Sequence, residues 1–279
     1  MTKSISPISK AVPLVAIPSV IPHIGYLGGE GGEEINDSIR KDYKKFDVLK
    51  VGNYKDGIVK GSNPFYAVAV QNRLPSNYRV ASQADVELAM RVGAFDFRGT
   101  YEDTGLVLRT EGEPNSYLAK HLMSQVKGRG FKEMPVMIPL SGLGLVEDKN
   151  SNHGLSFKLK DNAEITYAPI LNKGGNFDSK DIDTKTGLPK EVGNGSRTLY
   201  TRDSGLSGLC LGRGLSLGSY VDNLAYSNVN GRVVLVSTGE AGSQNFLNEK
   251  IVKLQGQRDA QKAEIDARYE QAEKILKGK

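Results

Sequence analysis

Three histidines and one cysteine are the side chains in this sequence that are best suited to catalysis or metal binding. His23, His121 and His153 lie far apart and do not show the spacing of metal ligands. Cys210 has no histidine near it in the sequence and no cysteine-nucleophile motif around it, and a single cysteine excludes an internal disulfide. We therefore predict no catalytic residue and no metal ligand, a structural or surface role for His121, and a buried or incidental thiol at Cys210.

Two segments match ligand-binding loops only in part. Gly142-Leu143-Gly144 follows an apolar run, but no third spaced glycine and no helix come after it, so a dinucleotide site is not expected. In the segment 178–187, Lys185 stands where a calcium loop has a ligand, and no glutamate closes the loop. A turn-rich polar loop is therefore favoured, with an ion site as the open alternative, and no cofactor is predicted. The aspartates of this segment are Asp178, Asp181 and Asp183.

Composition indicates a globular chain, and the sequence shows no evident targeting signal. The 279 residues carry a net charge of +5, and the basic residues are spread among acidic ones, so we predict no nucleic-acid partner. The compact basic run Arg40–Lys45 contains Asp42 and is interpreted as a solvated segment. The apolar run Ala11–Ile21 is too short and too rich in proline for a membrane span, and it lacks a clear signal-peptide cleavage site.

The chain divides by pattern into an arm, a domain and a tail. Residues 1–62 are predicted to be an irregular N-terminal arm, with a flexible linker at Gly25–Glu34 and a weakly amphipathic, helix-like stretch at Glu34–Phe46. Residues 63–239 are predicted to form the domain. Residues 240–279 are predicted to be a C-terminal helix, which either packs on the domain or associates with a second copy.

Within the domain, the pattern predicts two helices and several short strands. Ser82, with Asp85 at capping-box distance, opens a helix that ends at Gly93. Its predicted apolar face consists of Ala84, Leu88, Ala89 and Val92. A second helix is predicted over Ser116–Lys127, with Asn115 as N-cap, Leu118, Leu122 and Val126 as its apolar stripe and Gly128 as its stop. Strands are predicted at Phe65–Val70, Pro135–Ile138, Leu155–Leu159, Glu164–Tyr167, Thr198–Thr201 and Arg232–Ser237, with a polar loop at Asn172–Gly195.

The stretch Val192–Gly239 is unusual because it contains no Lys, Glu, Gln, Met or Trp. Its leucines alternate with small, chemically unrelated residues. We predict that the leucines, here called the leucine frame, fill a core and that the residues between them face outward. The leucine frame is Leu206, Leu209, Leu211, Leu215, Leu217 and Leu224.

Thr201–Ser237 resembles the variable region of proteins diversified by retroelements, especially archaeal and archaeal-virus forms. In that family a reverse transcriptase randomises template adenines, so that AAC and AAT codons become NNC and NNT, which cannot encode the five missing residue types. Tyr78–Ala89 is similar to the helix entry of C-type-lectin-like domains of the formylglycine-generating branch, although it departs from that motif at Val80-Ala81 and Val86. Gly231-Arg232-Val233 resembles the closing strand of those domains, and the resemblance covers about residues 63–238.

The resemblance implies an α+β, C-type-lectin-like fold with two helices, small antiparallel sheets and much irregular loop. It implies a non-enzymatic protein that binds a protein or another surface macromolecule. The sequence assigns no location, and display on a cell surface or a virion is left open. Tyr220 and Tyr226 are the expected anchors, with Arg213 as a charged contact. The expected ligand-binding positions are Asp203, Ser207, Gly208, Cys210, Gly212, Gly214, Ser216, Gly218, Tyr220, Val221, Asp222, Tyr226, Asn228, Val229 and Asn230.

Two alternatives remain at this stage. The first is a structural or assembly protein of a virion or cell surface, in which the arm and the tail helix join copies. The second is an oxidase of the formylglycine-generating type, which is disfavoured because that chemistry needs a pair of cysteines and this chain has Cys210 alone.

Overall fold

The computed structural model describes residues 24–237. The apolar run Ala11–Ile21, His23 and the predicted C-terminal helix lie outside the described residues. The α-helices are α1 (Gly29–Asp42), α2 (Pro64–Gln71), α3 (Gln83–Arg91) and α4 (Ser116–Gly128). The strands are β1 (Ile24–Tyr26), β2 (Asn53–Lys55), β3 (Ile58–Lys60), β4 (Tyr78–Val80), β5 (Tyr101–Leu108), β6 (Val136–Pro139), β7 (Leu143–Glu147), β8 (Leu155–Leu159), β9 (Thr166–Tyr167), β10 (Gly175–Phe177), β11 (Arg197–Tyr200), β12 (Leu206–Leu211), β13 (Leu217–Val221), β14 (Gly231–Arg232) and β15 (Val234–Ser237).

The largest sheet places β5 and β12 side by side near its centre. Its strand order is β10-β11-β13-β12-β5-β6-β9, and β14 also pairs with β5. A second sheet has the order β1-β15-β4, and β2-β3 and β7-β8 form separate hairpins. Most pairs are antiparallel, whereas β11–β13 and β14–β5 are parallel. The mixed helix and antiparallel-rich sheet confirm the α+β class.

The predicted strand Phe65–Val70 is wrong, because this segment forms α2. Asn63 caps the helix, since its side-chain oxygen accepts a hydrogen bond from the Tyr66 amide at 2.7 Å. Pro64 occupies the first helical turn, where a missing N–H costs nothing. Every residue from Pro64 to Val70 is buried, so a continuous apolar run fits a helix enclosed on all sides as well as it fits a strand.

The predicted irregular arm is also wrong for residues 24–62, although the helix-like stretch predicted at Glu34–Phe46 overlaps α1. β1 pairs with β15, and α1 begins inside the glycine-rich segment that was interpreted as a linker. Ile35 and Ile39 of α1 are fully buried. Gly32 permits this packing, because a Cβ there would lie 3.2 Å from the backbone carbon of Leu27. The folded domain therefore includes residues upstream of Asn63.

The helix predicted after Ser82 is confirmed as α3, including its capping box with Asp85. Its predicted apolar face is only partly right. Ala89 is buried, but Leu88 is 43% exposed, and the polar side chains of Gln83 and Glu87 are buried instead. The reason is tertiary: Glu87 forms a buried ion pair with Arg197 of β11, with oxygen–nitrogen distances of 2.6 and 2.7 Å.

The second predicted helix is confirmed as α4, with Leu118, Leu122 and Val126 buried. Asn115 stands at the N-cap position but does not cap. Its backbone is left-handed, with φ of 60°, and its side-chain amide donates to the carbonyls of Leu206 and Asp222. Asn115 therefore connects α4 to the segment that was predicted to bind ligand.

The predicted strands other than Phe65–Val70 correspond to observed strands with small shifts at their ends. The final predicted strand, Arg232–Ser237, is divided between β14 and β15. The strands β1–β5, β7, β12 and β13 were not predicted. For β12 and β13 the glycine-rich pattern favoured irregular loop, and the structure shows that this is wrong. Part of the predicted loop Asn172–Gly195 forms β10, which pairs with β11.

Candidate binding surface

The leucine frame is largely buried, as predicted. Leu206, Leu209 and Leu211 on β12, Leu217 on β13, and Leu224 have no exposed surface. These leucines belong to three different clusters of the core, so the segment is attached to the domain on several sides. Leu215 is the exception: it is half-buried and has a left-handed backbone, with φ of 64°.

Four residues predicted to face outward are buried instead: Ser207, Gly208, Cys210 and Gly218. Ser207, Gly208 and Cys210 lie on β12, which is paired on one side with β5 and on the other with β13, and whose residues are all buried. Small side chains are required there because both faces of the strand are covered. The expectation that they contact a ligand is therefore incorrect.

Cys210 is a protected thiol. A Cβ on Gly218 would lie 3.2 Å from its sulfur, so the neighbouring strand closes over it. Burial raises the pKa of the thiol well above its ordinary value, and the carboxyls of Asp103 and Glu102 raise it further. The thiol stays protonated at neutral pH and is a poor nucleophile.

The other predicted positions lie at or near the surface. Asp203, Gly214, Tyr220, Asp222, Tyr226 and Val229 are exposed, and Gly212, Ser216, Val221, Asn228 and Asn230 are half-buried. The exposed fraction is 48% for Tyr220, 56% for Tyr226 and 72% for Val229. Arg213 is exposed as well. Large apolar side chains left in solvent can contribute to contact surfaces where they lie together.

Tyr200 belongs to this surface although it was not predicted. It lies at the end of β11 and is 50% exposed, and its ring contacts that of Tyr220 edge to face, with centroids 5.8 Å apart. The two rings border a shallow depression of about 500 Å³ that Arg202 and Asp203 also line. The signal was available in the sequence, because the stretch without Lys and Glu begins at Val192 and already contains Tyr200.

Arg202 is held in place at this surface. Its guanidinium donates to Asp222 Oδ2 at 2.9 Å and to the Tyr220 carbonyl at 3.2 Å. Asp203 has no such ion pair among the described residues. Here the display surface means Tyr200, Arg202, Asp203, Arg213, Gly214, Tyr220, Asp222, Tyr226 and Val229.

Arg109 supports the display surface from inside the protein. It follows β5 and is 3% exposed. Its guanidinium donates to Ser207 Oγ at 2.8 Å, to the carbonyl and hydroxyl of Ser219 at 3.1 and 2.9 Å, and to Leu171 and Asn172 in a neighbouring turn. Burial, and then the charge of Arg202, lower the pKa of Arg109 to about 10, so it remains charged at neutral pH.

The loop 226–230 has a separate attachment. The Tyr101 hydroxyl donates to the Ser62 carbonyl at 2.8 Å and accepts from the Asn228 amide at 3.2 Å. Ser227 Oγ accepts from the Ser62 amide at 2.9 Å, and Ser62 Oγ in turn donates to Asp103 Oδ2 at 2.6 Å. Tyr226 and Val229 therefore project from a loop whose backbone is hydrogen-bonded to the domain.

Two adjacent buried carboxyls, Glu102 and Asp103, lie on β5. Burial raises the pKa of Glu102 to about 8 and that of Asp103 to about 7. Glu102 Oε2 and the nearby Arg232 Nε have no hydrogen-bond partner within the described part of the chain. Because both carboxyls are enclosed, their charge acts on the stability of the fold.

The remaining candidate side chains have local roles. His121 Nδ1 lies 3.4 Å from the Gln125 amide on the same helix, and the His153 ring packs against Phe65. Asp178 and Asp183 accept hydrogen bonds from backbone amides in their own turns, as expected for side chains of a turn-rich polar loop. Within residues 24–237, no group of three His, Cys, Asp or Glu residues is arranged to hold a metal ion.

No protein-family model matches the chain, and no curated protein or solved structure matches it significantly. Among the described helices, none has both the length and the apolar character needed to cross a membrane.

Replacing Arg109 with Met is expected to lower the free energy of unfolding by about 3 kcal/mol, because the oxygens of Ser207 and Ser219 would lose buried donors. Arg109→Lys should also destabilise, since an ammonium cannot reproduce the planar fork. Urea unfolding measures both. Arg98→Met is the control, because Arg98 is exposed and pairs only with exposed Asp96, and should change stability by less than about 0.5 kcal/mol. Equal stability of Arg109→Met and the wild type would contradict this role.

Stability is expected to fall as pH rises from about 5 to about 9. Glu102 and Asp103 titrate near pH 4 in the unfolded chain but near 8 and 7 in the fold, so the folded state holds their protons more tightly. Their contribution is complete below the unfolded pKa values and is lost as pH rises through the folded ones.

The double variant Glu102→Gln/Asp103→Asn keeps the neutral forms and should flatten the dependence of the melting temperature on pH. Asp96→Asn, at an exposed carboxyl, is the matched control and should leave the dependence unchanged. A wild-type melting temperature that rises over this pH range would refute the assignment.

Proposed function

We propose that this protein is a non-enzymatic binding protein whose display surface contacts a protein or another surface macromolecule. One observation carries the proposal: Tyr200, Tyr220 and Tyr226 are about half exposed on a segment whose leucine frame is buried. Tyrosine offers a large, amphipathic contact area at low entropic cost. An exposed ring on a fixed backbone is therefore well suited to anchor a partner.

The same arrangement supports diversification of this surface by a retroelement, on a C-type-lectin-like scaffold. A surface that changes its side chains needs a fold that does not depend on them. Here the hydrogen bonds of Arg109 and Tyr101 and the packing of the leucine frame hold the segment, and none of these uses the rings of Tyr220 or Tyr226.

The proposal now excludes Ser207, Gly208, Cys210 and Gly218 from the changeable positions. The changeable set becomes the exposed and half-buried positions, which are Asp203, Gly212, Gly214, Ser216, Tyr220, Val221, Asp222, Tyr226, Asn228, Val229 and Asn230. Their side chains can be replaced without opening the sheet.

Two matched libraries test the separation of surface from fold. One randomises Tyr220, Asp222, Tyr226 and Val229, and the other randomises the four buried positions Ser207, Gly208, Cys210 and Gly218. Most members of the first library should fold, as measured by protease resistance on a display platform, and most members of the second should not, because larger side chains overpack a closed sheet. The first library should also yield binders to several unrelated proteins. Equal folding in both libraries, or no binders from the first, would count against the proposal.

The gene provides an independent test of diversification. The source genome should contain an adenine-rich, near-identical repeat of the segment encoding residues 203–230, close to a reverse transcriptase gene. Differences between the two copies should fall at adenines of the template and map to codons of the changeable set, sparing those of Ser207 and Cys210. Absence of such a repeat would reject diversification while leaving the binding proposal to the library test.

A further inference from the structure

A polar cleft lies outside the display surface and shares no residue with it. It has a volume of about 390 Å³, within the range of small-molecule sites, and lies where the segments after α2, before α3 and around β8 meet. Its polar lining includes Gln71, Tyr78, Ser141, Lys160 and Asn162. The proposed function does not involve any of these residues.

Lys160 is the distinctive group of this cleft, because it is a half-buried cation to which no carboxylate of the described residues is bonded. Its ammonium donates to the Ser141 carbonyl at 3.1 Å, and its backbone amide donates to the Gly142 carbonyl at 3.0 Å, so the residue is fixed at both ends. Burial lowers its pKa, and no carboxylate contributes to the shift. Within residues 24–237 it forms no ion pair.

The other cation of the cleft already has a carboxylate partner. Arg79 binds both carboxylate oxygens of Asp85, with one distance of 2.8 Å. Glu164, at the exposed edge of the cleft, acts on the charge of Arg79. Once Arg79 and Asp85 neutralise each other, two charges of the lining form no ion pair among the described residues: the half-buried Lys160 and the exposed Glu164.

Several uncharged hydrogen-bonding groups line the same cleft without protein partners. The Gln71 side-chain carbonyl accepts from the Val80 amide at 2.7 Å, which leaves its NH₂ group available. Among the described residues, the hydroxyls of Tyr78 and Ser141 and the side-chain amide of Asn162 have no hydrogen-bond partner. Such groups in a concave site favour a ligand that carries hydroxyl or carbonyl oxygens.

We propose that this cleft binds a small polar organic anion, whose single carboxylate or phosphate group pairs with Lys160 and whose hydroxyl groups reach Gln71 and Asn162. An anionic group would give the Lys160 ammonium a directly bonded negative partner, which no carboxylate of the described residues provides. A ligand with one anionic group is favoured over a polyanion, because Glu164 would repel additional negative charge.

Titration of the full-length protein with three matched probes tests the site: glycerol, D-glycerate and sn-glycerol 3-phosphate. They share a hydroxylated three-carbon body and differ in having no anion, a carboxylate or a phosphate. Calorimetry should show saturable binding of at least one of the two anions and none of glycerol. Which anion binds more tightly identifies the preferred group.

Lys160→Met should weaken the binding of that anion by at least about tenfold, as expected for the loss of a charge-assisted hydrogen bond. Lys158→Met is the control, because Lys158 is an exposed lysine of β8 two residues before Lys160, and should bind as the wild type does. Asn162→Ala, at an exposed position, should weaken binding by a smaller factor and serves if Lys160→Met fails to fold. In the wild type, the pKa of Lys160 followed by NMR should rise when the anion is added.

Three results would overturn the proposal. The first is no saturable binding of either anion up to about 10 mM. The second is equal weakening by Lys158→Met and Lys160→Met, which would indicate attraction to general surface charge. The third is binding of glycerol as tight as that of the anions. Each is independent of the library and gene tests of the display surface.

Discussion

The need to satisfy one buried guanidinium constrains the arrangement of the main sheet. Arg109 is enclosed at the end of β5, and its N–H groups reach β12, β13 and the turn at Leu171 and Asn172. A buried charge that loses its hydrogen bonds is costly, so these elements cannot separate independently. Ser219 extends the network, because its hydroxyl also donates to the Tyr200 carbonyl at 3.2 Å. The backbone that carries the exposed tyrosines is thus positioned from inside.

This constraint leaves one segment with two kinds of position, one enclosed in the sheet and one open to solvent. β12 lies between two strands and is buried throughout, whereas β13 begins buried at Leu217 and becomes exposed at Tyr220. The chain then crosses the surface and returns through the contacts of Tyr101 with Ser62 and Asn228. Side chains in the exposed portion contribute little to the core. Their replacement therefore changes what the surface can contact more than it changes stability.

The sequence predicts a helix reliably where its cap and its apolar stripe both lie within the helix's own segment. The capping box of Ser82 and Asp85 and the stripe of Leu118, Leu122 and Val126 are contained within their own segments, so α3 and α4 were predictable. The segment 65–70 was not, because its apolar run is too short for its period to distinguish a helix from a strand. The signal that decides for a helix lies just before the run, in the N-cap Asn63 and in Pro64 of the first turn. Residues 24–62 were misjudged because buried glycines that allow close packing resemble the glycines of a linker.

Only the buried leucine frame of the candidate site could be predicted from the pattern of apolar residues. The leucine frame follows from composition, but an interleaved residue faces solvent only if one side of its strand is uncovered, and that depends on β5 and β13. β5 itself was missed because Glu102 and Asp103 interrupt its pattern, and their burial depends on Ser62, Tyr26 and Arg232, which are distant in sequence. Lys160 could not be recognised from the sequence either, because a lysine in a polar segment is expected to be solvated. The tertiary structure shows that it is half-buried and forms no ion pair among the described residues. What the sequence leaves open is therefore the pairing of polar groups across the fold, and that pairing decides which residues support a surface and which are free to bind.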